Sequence, residues 1–174
     1  MIKKAIGMLE FRSIAKGIEA TDVMLKASQV DIIFAQPICP GKYACLIIGE
    51  VSAVKNSLNS GKRAAEGYVV DEFMIANPHQ DIAPAITATT EITEINALGI
   101  IETFSISSGI EAADIAAKSG AVQLIEIRLA KGLGGKAYVI LTGEVSSVKA
   151  SLENCKNALL KRGNLVEAVT IAAP

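Results

Sequence analysis

The sequence predicts an α/β (α+β) protein built from two tandem copies of one ferredoxin-like domain, each running β-α-β-β-α-β. Three observations predict it. An internal repeat spans the chain, hydrophobic periodicity switches between strand and helix within each copy, and turn residues fall between the periodic segments.

The repeat is visible by eye. Ala5-Ile6-Gly7-Met8-Leu9-Glu10 aligns with Ala97-Leu98-Gly99-Ile100-Ile101-Glu102. Without a gap, Ser13-Ile14 falls on Ser105-Ile106, Gly17-Ile18-Glu19-Ala20 on Gly109-Ile110-Glu111-Ala112, Asp22 on Asp114, and Lys26 on Lys118. After a short length difference, Gly41-Lys42 meets Gly135-Lys136 and Gly49-Glu50-Val51-Ser52 meets Gly143-Glu144-Val145-Ser146. Such self-similarity marks a duplication. It divides the chain into a first domain over 1–78, a linker over 79–96 and a second domain over 97–174. The linker's Thr-rich centre, Thr87 to Thr90, reads as a connection preceded by a helical turn.

Within the first copy, Ala5–Phe11 is a short apolar strand. Ser13 is a candidate N-cap, followed by Ile14, Ile18, Thr21 and Leu25 at helical spacing. Val30–Ile38 is rich in apolar and β-branched residues and reads as a buried strand, Pro40-Gly41 as a turn, and Tyr43–Gly49 as the returning strand. A helix then carries Val51, Val54 and Leu58 on one stripe, and Val69–Ile75 closes the unit.

Half of the 174 residues are hydrophobic and the net charge is −1, with the basic residues scattered singly. That balance supports a packed core and announces no surface for nucleic acid. No apolar run approaches the roughly 18–20 residues needed to span a bilayer, and Met1–Ala5 lacks the apolar core of a secretory signal, so the expectation is a cytoplasmic protein with no membrane partner. The three cysteines, Cys39, Cys45 and Cys155, show no CxxC spacing, in keeping with a reducing compartment.

Candidate chemistry is sparse. Cys155 shares a helical stripe with Val148, Leu152 and Leu159, and Cys45 lies inside an apolar strand, so both read as core residues. Cys39 ends a strand just before Pro-Gly, where it is either an ordinary turn thiol or a presented ligand. The second copy has no sulfur there. Its loop, Ala130-Lys131-Gly132-Leu133-Gly134-Gly135-Lys136, is two residues longer and lacks the Walker pattern of a phosphate cradle. Lys42 and Lys136 are either solvated loop residues or pore-mouth cations. Glu50 and Glu144 sit where a carboxylate favours a helix N-terminus. His79 is the sole histidine, so no His-based catalytic constellation can be assembled within either domain, and no enzyme activity is expected.

Across nearly its whole length each repeat resembles the bacterial microcompartment (BMC) shell domain, on the strength of Ala5–Glu10, Gly17–Lys26 and Gly49–Val54 and their counterparts. The resemblance implies a homotrimer of tandem domains forming a pseudo-hexameric disc that tiles with other shell proteins. Lys26 and Lys118 match the motif lysine that lies at the border between neighbouring discs. Asn77-Pro78-His79 departs from the basic residue that related domains carry at an edge contact.

The element order and Pro37-Ile38-Cys39-Pro40-Gly41-Lys42 are similar to the iron–sulfur-binding tandem shell proteins of propanediol-utilisation microcompartments. The implied pore lining is Ile38, Pro40, Gly41 and Lys42 with Gly132, Leu133, Gly134, Gly135 and Lys136. The implied metal ligand is Cys39, one per chain, sharing a 4Fe–4S cluster on the threefold axis. Electron transfer or redox delivery to an encapsulated or cytosolic redox protein follows from that resemblance. The alternatives are a metal-free metabolite pore, with Lys42 and the glycine loop setting selectivity, and a soluble ligand-binding regulator.

Overall fold

The computed structural model describes residues 4–160 and 163–173. It divides into two compact units, 1–78 and 79–174. In the first, strands β1 (Lys4–Phe11), β2 (Val30–Ile38), β3 (Lys42–Glu50) and β4 (Val69–Ala76) form an antiparallel sheet ordered β2-β3-β1-β4. Helices α1 (Ile14–Ala27) and α2 (Val51–Ala64) pack together over one face. Between sheet and helices lie Leu9, Phe11, Tyr43, Cys45 and Ile47 below, and Ala20, Met24, Val54 and Leu58 above. Burying these apolar side chains stabilises the unit by about 1.5–3 kcal/mol for each large one.

The second unit repeats the plan. It opens with α3 (Ile82–Thr87), followed by β5 (Ala97–Thr103), α4 (Ile106–Ser119), β6 (Val122–Leu129), β7 (Ala137–Gly143), α5 (Val145–Leu160) and β8 (Leu165–Ile171). Sheet order is β6-β7-β5-β8. Even the register recurs, with Ala5 opposite Gly49 and Ala97 opposite Gly143. Both first helices are capped alike. Ser13 Oγ accepts from Lys16 N at 3.3 Å, and Ser105 Oγ accepts from Ser108 N at 3.2 Å, satisfying an otherwise orphaned donor. Among the described residues no helix is long and apolar enough to cross a membrane.

Two expectations need correction. Val30–Ile38 reads as a buried strand, yet β2 lies at the edge of its sheet and of its residues only Ile38 is buried. The spacing of Ile14, Ile18, Thr21 and Leu25 suggests an inward stripe, yet of these only Thr21 is buried, alongside Gly17, Ala20 and Met24. The helix turns its small residues inward because it lies close to the sheet. A Cβ at Gly17 would stand 2.5 Å from the ring of Tyr43, nearer than van der Waals packing permits. The larger aliphatics are left outside.

The cores of the two units are matched by exchange of volume. A Cβ on Gly61 of α2 would lie 2.6 Å from Met24 Cγ, so a large residue on α1 faces none on α2. At the equivalent positions α4 has Ala116 and α5 has Cys155, whose Sγ donates to Ala112 O at 3.3 Å. Large-over-none becomes small-over-medium, and packing is kept.

Candidate functional site

The segments between the second and third strands of each unit carry the candidate chemistry. In the first unit Cys39, Pro40 and Gly41 make a three-residue connection between β2 and β3. Gly41 adopts φ +65°, a left-handed turn position with open space around it. Cys39 is partly exposed at this tip, Ile38 is buried beneath it, and Pro40 is exposed.

In the second unit seven residues, Ala130 to Lys136, join β6 to β7. Gly132, Gly134 and Gly135 all have positive φ, as does buried Ala130. The loop is closed by Ala130 N donating to Lys136 O at 3.0 Å and Lys136 N donating to Leu133 O at 3.1 Å.

At the base of each tip lies an ion pair that the sequence reading missed. Lys42 Nζ donates to Glu10 Oε1, and Lys136 Nζ donates to Glu102 Oε1 at 2.9 Å. Glu10 is buried and needs such a partner, because an unpaired carboxylate there would carry its full desolvation cost. The signal was available in the repeat. Both acids and both lysines recur, and Glu10 lies opposite Ala44, two residues from Lys42 and on the same sheet face. Glu50 takes the N-cap position of α2 with no side-chain cap bond, so its carboxylate can act there only through the helix dipole.

The three thiols differ in character. Burial pushes the Cys45 thiol up to about 11 and the Cys155 thiol up to about 12, which disfavours the thiolate of each. Cys39 is the accessible one. Within a single chain, the described residues contain no group of three or more His, Cys, Asp or Glu placed to hold a metal.

The helix edges hold the remaining candidates. Lys26 Nζ bridges to Asp22 Oδ2 and Lys118 Nζ to Asp114 Oδ2, each at 2.6 Å. The first pair is exposed. Asp114 is buried and its other oxygen accepts the backbone N–H of His79 at 2.8 Å. His79 thus serves the connection into α3.

Comparison with known proteins agrees with this architecture. The BMC domain model matches residues 5–78 and 97–174. The chain is 37% identical to the bacterial microcompartment shell protein PduT of Citrobacter freundii over 173 residues, which is 99% of this chain and 94% of that one. It is 34% identical over 86 residues to the carboxysome shell protein CsoS1A of Hydrogenovibrio crunogenus, covering 48% of this chain and 90% of that one. The crystal structure of a microcompartments protein from Desulfitobacterium hafniense DCB superposes with a TM-score of 0.95 at 52% identity, covering 98% of this chain and 95% of that one. Two BMC domains in tandem, matched along the whole chain to a shell protein of the same length class, place this chain in the BMC family as a tandem-domain microcompartment shell protein of the PduT type.

Proposed function

We propose that the chain is a structural tile of a microcompartment shell that assembles as a homotrimeric, six-sided disc and holds a 4Fe–4S cluster on its axis through Cys39 of each copy. The observation that carries the ring is a reciprocal exposure of equivalent faces. On α1, Ile18 is 55% exposed, whereas its counterpart Ile110 on α4 is fully buried. On the sheet faces the relation reverses. Phe73 on β4 is 8% exposed, whereas its counterpart Val169 on β8 is 42% exposed. Ile6, Met8 and Leu46 are fully buried where Leu98, Ile100 and Ile140 are half-buried. Each unit leaves bare the face that the other has covered. Such complementary, non-identical patches join head to tail, and a head-to-tail contact closes into a ring when its rotation allows.

Cys39 supports the cluster reading because it is the accessible thiol, held at a hairpin tip over buried Ile38. One thiol per chain suits a shared site, and a threefold axis brings three to one point. A bound cubane would supply one-electron transfer, tuned by burial and hydrogen bonding around its sulfurs, and would leave one iron for a fourth ligand. The sulfur-free loop from Ala130 to Lys136 would pack beside it, its glycines allowing close backbone approach. Other shell proteins are the partners at the disc edge, and an encapsulated or cytosolic redox protein is the partner at the cluster. No catalytic step is proposed for the chain. Membership of the shell family displaces the soluble-regulator alternative.

The test is iron and acid-labile sulfide per trimer after anaerobic purification, with mass determined in solution. About four of each in the wild type, lost in a still-trimeric Cys39→Ser variant, is the expected result. Absence of both after attempted reconstitution would leave a metal-free metabolite pore framed by the same two tips. At the edge, Lys26→Ala is expected to leave trimers intact and impair sheet formation in electron micrographs. Its exposed pair with Asp22 contributes under about 1 kcal/mol to folding, so unaltered sheets would remove Lys26 from the edge role.

A further inference from the structure

The second unit carries a docked segment that the first unit lacks. His79 N donates to Asp114, Ile82 and Ala85 of α3 are buried, and α3 packs on β6 and α4. Further along, Gln123 Nε2 donates to Glu91 O at 2.9 Å. Beneath this segment Asp114 is 10% exposed and Leu124 fully buried.

The first unit has the same shelf, bare. Asp22 stands where Asp114 stands and is 59% exposed. Ile32 stands where Leu124 stands and is 42% exposed, and Leu25 is exposed where Ala117 is buried. Among the described residues Asp22 is engaged through one oxygen, by Lys26. Aliphatic surface and a helix-edge carboxylate are therefore both present at the positions that seat the segment in the other copy. The shelf differs in one respect: exposed Asp31 replaces Gln123, an acceptor in place of a donor.

We infer that the α1–β2 shelf around Asp22 and Ile32 docks a short helical segment of a partner protein, one that presents a Lys or Arg to Asp31. The occupant offers Asp22 a backbone N–H just ahead of its helix, as His79 offers Asp114, and turns an aliphatic and a small side chain one turn apart, as at Ile82 and Ala85, toward the shelf. Its cation satisfies the carboxylate that the chain's own segment, ending in Glu91, would leave facing a carbonyl. Charge complementarity thus separates this occupant from the chain's own linker. The inference is independent of iron.

The probe is a fluorescein-labelled synthetic peptide of residues 77–92 carrying Glu91→Lys, titrated against the full-length protein as purified. Saturable binding is expected, weakened about tenfold by Asp22→Asn or Ile32→Lys and by the return of Glu91 to the peptide. Because both altered protein residues are exposed, circular dichroism should show native folding in each variant. Amide-exchange protection on adding peptide should fall within residues 22–34. Absence of saturable binding, indifference to Ile32→Lys, or protection confined to residues 114–126 would each overturn the inference, the last by showing exchange with the native segment.

Discussion

The two units share strand order, register and helix caps, yet they differ in what their first helices bury. Four residues of α1 are buried against ten of α4. The identical Gly-Ile-Glu-Ala run sits half in solvent in one unit and inside in the other. Duplication preserved the interior contacts and let the outer faces take separate duties. Local sequence sets the element, and surroundings set the value of each side chain on it.

The largest effect expected from this contrast is at the isoleucines. Ile110→Asp should cost more than about 3 kcal/mol, by placing a carboxylate in a dry site, and should lower the melting temperature sharply. Ile18→Asp should change monomer folding by about 0.5 kcal/mol or less, yet abolish the trimer in sedimentation. Equal destabilisation by both would erase the distinction between the faces.

Smaller effects sharpen the comparison of cores. Gly61→Cys imports the second unit's residue into the first, where Met24 already fills the space, and should cost about 1–3 kcal/mol. Adding Met24→Ala should recover most of that loss, because it imports the partner as well. Denaturant titration of both singles and the double measures the coupling, and simple additivity would contradict volume exchange.

The smallest contrast concerns two equivalent serines. Ser57 Oγ donates to Met24 O at 2.9 Å, whereas buried Ser151 Oγ has no hydrogen-bond partner among the described residues. Ser57→Ala should cost about 1 kcal/mol, and Ser151→Ala should be neutral or slightly stabilising in the same titration.

Strands and helices were legible because their periods and turns are local: β2 begins and ends at Val30 and Ile38 as read from its residues, and Ser13 caps as its position suggests. The inward side of α1 was not. Side-chain size misleads when a helix lies so near a sheet that only glycine and alanine fit, and Gly17 under Tyr43 is that case. The lysine–glutamate pairs needed strand register as well as the repeat. The burial of Ile110 and the seating of Ile82 depend on tertiary surroundings that no window of sequence contains. Of the thiols, the sequence already sets Cys39 beside a turn apart from Cys45 and Cys155 on apolar stripes, because those patterns are local, and their burial agrees.

The unequal tips bear on heritable variation. Were a disc built from six copies of a single domain, any substitution at a tip would enter six times, and a harmful one would be multiplied accordingly. Here one gene encodes a three-residue turn with a thiol and a seven-residue loop without one, so mutation samples them independently. The glycine-rich loop, with open space around Gly132 and Gly134, can absorb insertions at low cost, since doubling a loop's length adds only about 0.6 kcal/mol of closure entropy. New chemistry can be tried on one tip while the other keeps its shape.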